Sequence, residues 1–347
     1  MKKLSILALA LISSLCCLAQ NGVNQYKISN RFSLTGDGSW DYLTMDDSTH
    51  LLYISHGSEM QVLDVKTGKT VATIPDTKGV HGIALATGLN KGFISNGKDT
   101  SVTIIDLKTY QVVAKIKVTG NNPDAILYDK FSQRVFTFNG RSSNATVIDA
   151  ITNKVIGTIA LEGKPEFAVT DFNGKVYVNI EDKSKVCQIN PLTMKVENTW
   201  PIAPGEEPSG LALDNKNHIL FSVCDKLMVV MDALTGKVIT TLPIGDRVDG
   251  VAFDPAKNRA YSSNGDGTMT VVQEENDKTF KVLGNVKTQA GARTICIDKL
   301  THKIYLPTAE SGETPAATKE TPHPRPSIKP GSFVIIEITE ERINNQP

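Results

Sequence analysis

Two short stretches of the chain, FISNG at residues 93–97 and YSSNG at residues 261–265, are nearly the same phrase written 168 positions apart. Such copies either perform the same chemistry twice or mark the same corner of a repeated building block. Related phrases begin with an aromatic residue and recur at intervals of 40 to 44 residues, with a mean of 42. These aromatic residues are Tyr53, Phe93, Phe136, Tyr177, Phe221, Tyr261 and Tyr305. A period of this length indicates a repeat architecture.

A second marker follows the same period. Its first five spacings are 41 to 43 residues, and the last is 63, which is one repeat plus about 21 extra residues. The positions are Asp64, Asp106, Asp149, Asn190, Asp232, Glu274 and Glu337. The two markers together predict seven units, with an insertion in the last one.

Each unit is composed of four short segments typical of β-strands. In the second unit they are HGIALA, KGFISN, SVTIIDL and QVVAKIKV, in which Val, Ile and Thr alternate with smaller or polar residues. KTGK at 66–69 and LTGK at 234–237 are hairpin turns at equivalent places. The sequence therefore predicts an all-β fold, a seven-bladed β-propeller with four antiparallel strands per blade, as a single domain over residues 20–347.

The seventh blade lacks an outer strand of its own, because the chain is nearly finished after SFVIIEITEE. One spare strand, YKISNRFSLT at 26–35, precedes the first unit and is similar to the fourth strands of other units. We expect this N-terminal strand to complete the last blade and so to remove a free sheet edge.

The extra residues form a Pro-rich loop at 308–332 with five prolines, inserted between the second and third strands of blade 7. Two interpretations stay open. The loop is either a disordered surface segment or a lid across the channel mouth, where its stiff PHPRP run would hold His323 and Arg325 over acidic groups.

The first nineteen residues predict a secretory signal peptide. Lys2 and Lys3 precede an apolar run at 4–11, and Cys17 and Ala19 are small residues at the −3 and −1 positions, which favours cleavage after Ala19. Lipidation at Cys16 or Cys17 is a less favoured alternative. We expect a secreted or periplasmic protein, and no other segment is apolar and long enough to span a membrane.

Bulk charge argues against some partners. The chain has 37 basic and 37 acidic residues, and the leader removes two lysines, which leaves a formal charge of −2. This balance gives no global attraction to nucleic acid or anionic lipid, so nucleic acid is not an expected partner. The remaining cysteines, Cys187, Cys224 and Cys296, are odd in number and adjoin apolar runs, which favours buried packing. We expect a monomer.

The repeated phrase resembles the Tyr-Val-Thr-Asn signature of the YVTN-type, or YncE-like, β-propeller repeat family. The better copies are residues 136–139 (FTFN) and 261–264 (YSSN), and residues 177–180, 221–224 and 305–308 are degraded copies. The resemblance covers all seven units. It implies the propeller fold and no settled activity. Some members are associated with DNA, but this sequence lacks the basic stripe that a phosphate backbone requires.

The repeat also sorts side chains by face. Turns between blades and turns joining strands two and three emerge on one face, here called the upper face, and the remaining turns emerge on the lower face. The equivalent upper-face position differs between blades, whereas a purely structural position would tend to repeat. We therefore predict a ligand-binding funnel there, although solvated turn formers would give a similar pattern. Its candidate residues are Asp41, His56, His81, Asn96, Asp124, Asn139, Glu166, Glu181, Glu207, Asp249, Asn264, Arg293 and Glu310.

Two functions fit such a funnel. The favoured one is a non-catalytic binding or scaffold propeller that holds a small cationic or polyhydroxyl ligand, or a partner protein, because standard catalytic motifs are absent. The alternative is a lactonase- or esterase-like hydrolase, with His81 or His56 as base, Glu166 as an orienting or acidic partner and Arg293 as anion stabiliser. No cofactor is evident. A divalent cation would also fit the carboxylate–histidine set, but no ligand spacing demands a metal.

Overall fold

The computed structural model describes residues 26–36, 38–316, 318 and 326–341. The predicted leader, the middle of the Pro-rich loop and the side chains of His323 and Arg325 lie outside these residues. Seven four-stranded antiparallel sheets are arranged as blades, which confirms the predicted fold class.

The strands follow the repeat along the chain. The first is β1 (Tyr26–Ser33). Blade 1 contains β2 (Trp40–Asp46), β3 (Leu51–His56), β4 (Glu59–Asp64) and β5 (Lys69–Ile74); blade 2 contains β6 (Val80–Ala86), β7 (Lys91–Asn96), β8 (Ser101–Asp106) and β9 (Val112–Lys117). Blade 3 contains β10 (Pro123–Asp129), β11 (Arg134–Asn139), β12 (Asn144–Asp149) and β13 (Lys154–Ala160); blade 4 contains β14 (Pro165–Thr170), β15 (Val176–Ile180), β16 (Lys185–Asn190) and β17 (Lys195–Pro201).

The second half repeats this order. Blade 5 contains β18 (Leu211–Asp214), β19 (Ile219–Cys224), β20 (Leu227–Asp232) and β21 (Val238–Pro243); blade 6 contains β22 (Val248–Asp254), β23 (Arg259–Asn264), β24 (Thr268–Asn276) and β25 (Thr279–Lys287). Blade 7 contains β26 (Cys296–Asp298), β27 (Lys303–Thr308) and β28 (Val334–Glu340). Three single-turn 3₁₀ helices lie in the described turns, at Thr87–Leu89, Gly97–Asp99 and Glu181–Lys183.

The ring is closed by the N-terminal strand, as predicted. β1 pairs antiparallel with β28, and the order in blade 7 is β1-β28-β27-β26. Phe32 of β1 is buried in the core of the seam between blades 7 and 1. The hydroxyl groups of Tyr26 and Tyr261 are 3.0 Å apart, which ties β1 to blade 6 as well.

The core lies between neighbouring blades. The aromatic residue that begins each repeated phrase is at most 1% exposed. Tyr53 of blade 1 packs with Ile83 of blade 2, and Phe93 of blade 2 packs with Val135 of blade 3. The period of 42 is therefore the period of inter-blade packing, and the aromatic residues are unavailable for base stacking.

Histidines also join blades on the lower face. The Nδ1 atom of His50 is 2.6 Å from Asp298 Oδ2, which links blade 1 to blade 7. The Nδ1 atom of His302 is 2.8 Å from Asp254 Oδ2, which links blade 7 to blade 6. Both carboxylates are buried, so these pairs belong to the structural framework.

The cysteines and the membrane prediction can be placed as well. Cys187 and Cys224 are buried, Cys296 is partly buried, and all three are free thiols. Within the described part of the chain, no helix has the length and apolar character needed to cross a bilayer.

Candidate functional site

The site is the mouth of the central channel on the upper face, where the blades place one residue each at an equivalent position. We call these seven residues the mouth ring. They are Asp41, His81, Asp124, Glu166, Ser209, Asp249 and Arg293. Ion pairs join five of the predicted charged residues, namely Asp41, His81, Asp124, Asp249 and Arg293, and Glu166 lies close enough to Asp124 for their charges to interact.

Irregularities in the inner strands aim these side chains. The pairing register shifts just after the first residue of β2, β6, β10, β14 and β22, for example between Trp40 and Leu43. In each case the ring residue lies inside the irregular stretch. Bulges bend a strand and redirect its side chains, and they are common beside functional sites.

The serine of the repeated phrase secures this geometry. The hydroxyl of Ser55 accepts a hydrogen bond from Asp41 N (3.0 Å) and donates one to Tyr42 O (3.0 Å). Ser95 of FISNG donates to Asp124 O (2.7 Å) in the next blade. Ser263 of YSSNG donates to Arg293 O (2.5 Å) in the next blade. The serine therefore has the same structural role in both copies of the phrase, although the ring residues that it positions differ.

The glycine of FISNG makes room for the ring. A Cβ atom at Gly97 would lie 2.6 Å from Nε2 of His81 and 2.8 Å from Oδ1 of Asn122. A contact this short between heavy atoms is not tolerated, so a side chain at this position would displace the imidazole.

His81 is clamped between two carboxylates. Its Nδ1 atom lies 2.6 Å from Asp41 Oδ2 and 3.2 Å from Asp124 Oδ1. Burial lowers the pKa of His81, but the hydrogen bond to Asp41 and the negative charges of Asp124 and Asp41 outweigh burial and raise it to about 9. The Asn122 side chain adds a further hydrogen bond to the imidazole. At neutral pH this histidine is a cation.

Asp124 and Glu166 hold protons more tightly than ordinary carboxylates do. Burial is the largest cause for both, and the charge of Asp41 also raises the pKa of Asp124, to about 6, against the opposing charge of His81. The charge of Asp124 adds to burial in raising the pKa of Glu166 to about 8. Such clustered shifts are typical of functional sites.

Two further cations complete the alternation of charge. Lys164 Nζ lies 2.5 Å from Glu166 Oε1 and is also paired with Glu181. Arg293 is paired with Asp249, and its guanidinium donates to the main-chain oxygen of Trp40 at 3.1 Å. Each cation therefore has carboxylate partners, and the mouth retains more carboxylates than cations.

Two aromatic rings form the floor of the mouth. Tyr42 and Phe167 make an edge-to-face contact with ring centroids 5.1 Å apart. A Cβ atom at Gly82 would lie 3.3 Å from the Tyr42 ring, so glycine lets the tyrosine lie close to β6. Burial, followed by the charges of Asp124 and Asp41, raises the pKa of Tyr42 well above its usual range. Its hydroxyl therefore stays protonated at neutral pH.

The donor set could also accommodate a divalent cation. One ligand atom each from Asp41, His81 and Asp124 lies within 4.8 Å of the other two. Nitrogen and carboxylate oxygen suit zinc or manganese, but His81 would have to lose its proton first. Metal binding here would therefore release a proton and strengthen as pH rises.

Other predicted residues lie away from the ring. Asn96, Asn139 and Asn264 are fully buried, and their amides donate to hydroxyl or amide oxygens within their own blades, Asn264 to Thr268 and Thr270 at 3.0 Å each. Glu207 is exposed in a turn. We therefore leave these four residues out of the ligand set proposed below.

His56 and Glu310 belong to the seam beneath the Pro-rich loop. His56 is buried, with its ring stacked on Phe333 at 4.0 Å. Glu310 pairs with Lys329 across the base of the loop, at 2.7 Å. The two ends of the loop run antiparallel, with a bridge between Ser311 and Ile328, and cover a cavity of about 370 Å³. Its lining includes His56 and no ring residue, and the covering of the ring by residues 319–325 stays a prediction.

The sequence analysis did not select Tyr42 or Asn122 for the site. Strict alternation along a strand would place Tyr42 on the face opposite Asp41. The bulge after Trp40 breaks that alternation, and a single sequence gave no sign of the bulge. Asn122 directly precedes β10 and has φ 55°, a conformation that asparagine tolerates. In the sequence it therefore looked like an ordinary turn residue.

The role of the phrase asparagine can be tested by mutation. Asn264→Ala removes two hydrogen bonds to threonine hydroxyls inside blade 6 and should cost about 1–3 kcal/mol in the free energy of unfolding. Asn276→Ala, at the exposed end of β24 in the same blade, is the matched control and should cost far less. Urea denaturation measures both, and equal losses would contradict a structural role for Asn264.

Fold and mouth together define a seven-bladed β-propeller with a mixed-charge polar mouth. No protein-family model matches the chain, and no curated protein matches it. Solved structures share the fold. A chain of Kuenenia stuttgartiensis hydrazine synthase is 14% identical with a TM-score of 0.69, covering 79% of this chain and 94% of that one.

Two further structures match over longer stretches. A chain of the mitotic checkpoint complex is 10% identical with a TM-score of 0.73, covering 98% of this chain and 99% of that one. The structure of U3-55K is also 10% identical with a TM-score of 0.73, covering 88% and 98%. At these identities the similarity concerns the fold alone.

Proposed function

We propose that this protein is a non-catalytic binding propeller that holds a small cationic or polyhydroxyl ligand on its mouth ring. One observation carries the proposal: six charged residues of four types, one from each of six blades, lie together at the channel mouth. The framework repeats from blade to blade and the ring does not, as expected where selection acts on a ligand rather than on the fold.

The chemistry of the ring defines the ligand class. Carboxylates accept hydrogen bonds from hydroxyl and ammonium groups, whereas His81, Arg293 and Lys164 donate. The excess of carboxylates favours ligands of positive charge. A polyanion would meet this excess at the mouth and bind poorly.

The hydrolase alternative fits the ring less well. A general base must be deprotonated at the working pH, and His81, with a pKa of about 9, is protonated at neutral pH. Lactone hydrolysis at neutral pH that disappears in His81→Ala would support the alternative.

We further propose that the chain is a secreted or periplasmic member of the YVTN-type family. The leader pattern at residues 1–19 and the seven phrases support this assignment. Mass spectrometry of the protein purified from its own host would show an N-terminus at Gln20 after cleavage, or a lipid-modified cysteine.

The binding proposal predicts a result for charge-neutralised variants. Isothermal titration with spermidine and with sorbitol probes the two ligand chemistries. Asp41→Asn with Asp249→Asn should weaken the binding of whichever probe binds by about 10- to 100-fold, because each change removes a charge-assisted hydrogen bond. Glu207→Gln with Glu310→Gln, the same charge change off the ring, should have no effect.

The control pair, Glu207→Gln with Glu310→Gln, distinguishes an effect at the mouth ring from an effect of the protein's net charge. Equal weakening by both pairs would reduce the effect to general electrostatics. Failure of both probes to bind, together with no mass shift in native mass spectra of protein from its own host, would contradict the proposed function. Thermal melting should show that both pairs of variants remain folded.

A further inference from the structure

The lower face carries an unexpected set of apolar side chains at the tips of its turns. Six of the ten large hydrophobic residues exposed in the described part of the chain lie there, with exposures from 42% to 64%. They are Phe131, Ile151, Phe172, Leu192, Leu234 and Leu300. The other four lie on strands. An exposed apolar set confined to one face calls for a partner.

The fold does not require apolar residues at these tips. The main-chain nitrogens of Leu192 and Leu234 donate to side-chain oxygens of Asn190 and Asp232, at 3.0 and 2.9 Å. In blade 1 the same turn has Lys66 at the equivalent position, donating to Asp64 at 2.9 Å, and blade 2 has Lys108. Lysine thus serves the turn equally well.

Neighbouring blades hold the tips in place. Lys91 Nζ donates to the main-chain oxygen of Ile151 at 2.8 Å, and Arg134 donates to that of Leu192 at 2.8 Å. The ammonium group of Lys130 lies 4.9 Å from the centre of the Phe172 ring. The tips therefore form a fixed surface that does not have to be ordered when it binds.

Lysines dominate the exposed charges around the tips. Ten exposed lysines lie in the lower-face turns or at the strand ends beside them: Lys66, Lys69, Lys108, Lys130, Lys154, Lys195, Lys216, Lys237, Lys278 and Lys299. Several carboxylates of these turns are partly exposed and accept hydrogen bonds from main-chain nitrogens of their own turns, namely Asp64, Asp106, Asp149 and Asp232. Asp129, Asp214, Asp254 and Asp298 are buried. Within the described turns the exposed acidic residues are Glu275, Asp277 and Glu341, all in blades 6 and 7.

We propose that the lower face docks on an anionic lipid surface, with blades 3 to 5 against the membrane. Separate apolar tips, each close to a lysine in sequence, suit a bilayer interface, where apolar side chains enter the headgroup boundary and ammonium groups meet phosphates. Charge complementarity favours this occupant over a neutral surface. The near-zero net charge of the whole chain does not reflect the exposed lysines on this face.

This orientation leaves the mouth ring accessible. The two faces lie at opposite ends of the channel, so a protein lying on its lower face presents its carboxylate-rich mouth to the solution. The inference does not depend on the proposed ligand function.

The test is flotation with vesicles of phosphatidylcholine alone and of phosphatidylcholine mixed with phosphatidylglycerol. The apolar run at residues 4–11 would itself bind lipid. The unmodified protein and all variants must therefore begin at the same residue. The protein should bind anionic vesicles at least about tenfold more tightly than neutral ones, since each lysine near an anionic surface contributes favourably. High salt should weaken this binding.

Two triple variants separate the contributions. Ile151→Ser, Leu192→Ser and Leu234→Ser change no charge and should weaken binding to anionic vesicles at least about tenfold. Lys130→Glu, Lys195→Glu and Lys237→Glu should weaken it by a similar factor or more. The control Val71→Ser, Val112→Ser and Val113→Ser, on exposed outer strands, should have no effect. Circular dichroism should show unchanged folding.

Other outcomes would overturn the proposal. Binding to both vesicle types with equal affinity would show that the lysines are irrelevant. Unchanged binding in both triple variants would place lipid contact elsewhere on the chain. If vesicles are not bound but polyglutamate is, the face recognises an acidic polypeptide and the lipid assignment is wrong.

Discussion

A truncated chain that begins at residue 36, and so lacks β1, should not form a stable monomer. β1 is the outer strand of blade 7, and its loss exposes the edge of β28 over seven residues. That strand has the sequence VIIEITE and carries three fully buried isoleucines, Ile335, Ile336 and Ile338. An exposed, apolar edge strand is a template for aggregation.

The expected energetic loss is comparable to the stability of an ordinary domain. Burial of Tyr26 and Phe32 stabilises by about 1.5–3 kcal/mol each, before the strand hydrogen bonds are counted. The hydrogen bond that Arg259 donates to Tyr26 Oη at 2.7 Å would be lost as well. Since domains are stable by only about 5–15 kcal/mol, the truncated chain should aggregate or melt far lower.

A shorter truncation, which leaves β1 in place, is the matched control. A chain that begins at residue 24 keeps β1 and should melt like the longer protein. Light scattering and thermal melting compare the two. A synthetic peptide of residues 24–36 added during refolding should partly restore the monomer, because it can pair with β28 in place of β1. A truncated protein that stays monomeric with an unchanged melting temperature would contradict this account of closure.

Much of the fold could be predicted from the sequence because packing between blades imposes the 42-residue period. The aromatic residue of each phrase is buried between blades, so it cannot vary far without opening a cavity, and its spacing survives. The spare strand at 26–35 was readable for a similar reason, since a ring with one strand missing would leave an edge open.

The candidate site could be predicted only in part from the sequence. The ring position was found because Asp41, His81 and Arg293 differ where the framework repeats. The asparagines of the phrase looked equally polar and equally close to the upper face. Their burial depends on the side chain turning back into its own blade, for which the threonine partners give only a weak signal in the sequence. Likewise, the total charge of the chain gave no sign of a lysine-rich lower face.

The ionisation of the ring also lies beyond sequence. A histidine in an inter-blade turn has no particular pKa until its neighbours are known. Asp41 and Asp124 come from the blades on either side of His81, about 40 residues away in each direction. Only the packing of blades 1, 2 and 3 side by side brings the three together, within 3.2 Å for each carboxylate.

Neutralising both neighbours should reverse the shift of His81. In the variant Asp41→Asn with Asp124→Asn, the hydrogen bond to a carboxylate and the two negative charges are lost while burial remains. The pKa of His81 should then fall from about 9 to below its ordinary value of 6.5. NMR titration of the imidazole Cε1–H resonance measures it directly. Glu207→Gln, which changes a charge elsewhere on the same face, is the control and should leave the titration unchanged.

The same shift sets how stability depends on pH. Because folding raises the pKa of His81, its contribution is fully present below about pH 6.5 and is lost as pH rises through 9. The difference corresponds to about 3 kcal/mol, since each pKa unit is worth about 1.36 kcal/mol. The stability advantage of the unmodified protein over His81→Gln, measured by urea denaturation, should therefore shrink by about this amount between pH 6 and about pH 10. Because the charge of His81 also lowers the pKa of Asp124, the comparison measures the ionisation of His81 and Asp124 as an interacting pair. An advantage that stays constant across the range would show that His81 is not held as a cation by Asp41 and Asp124.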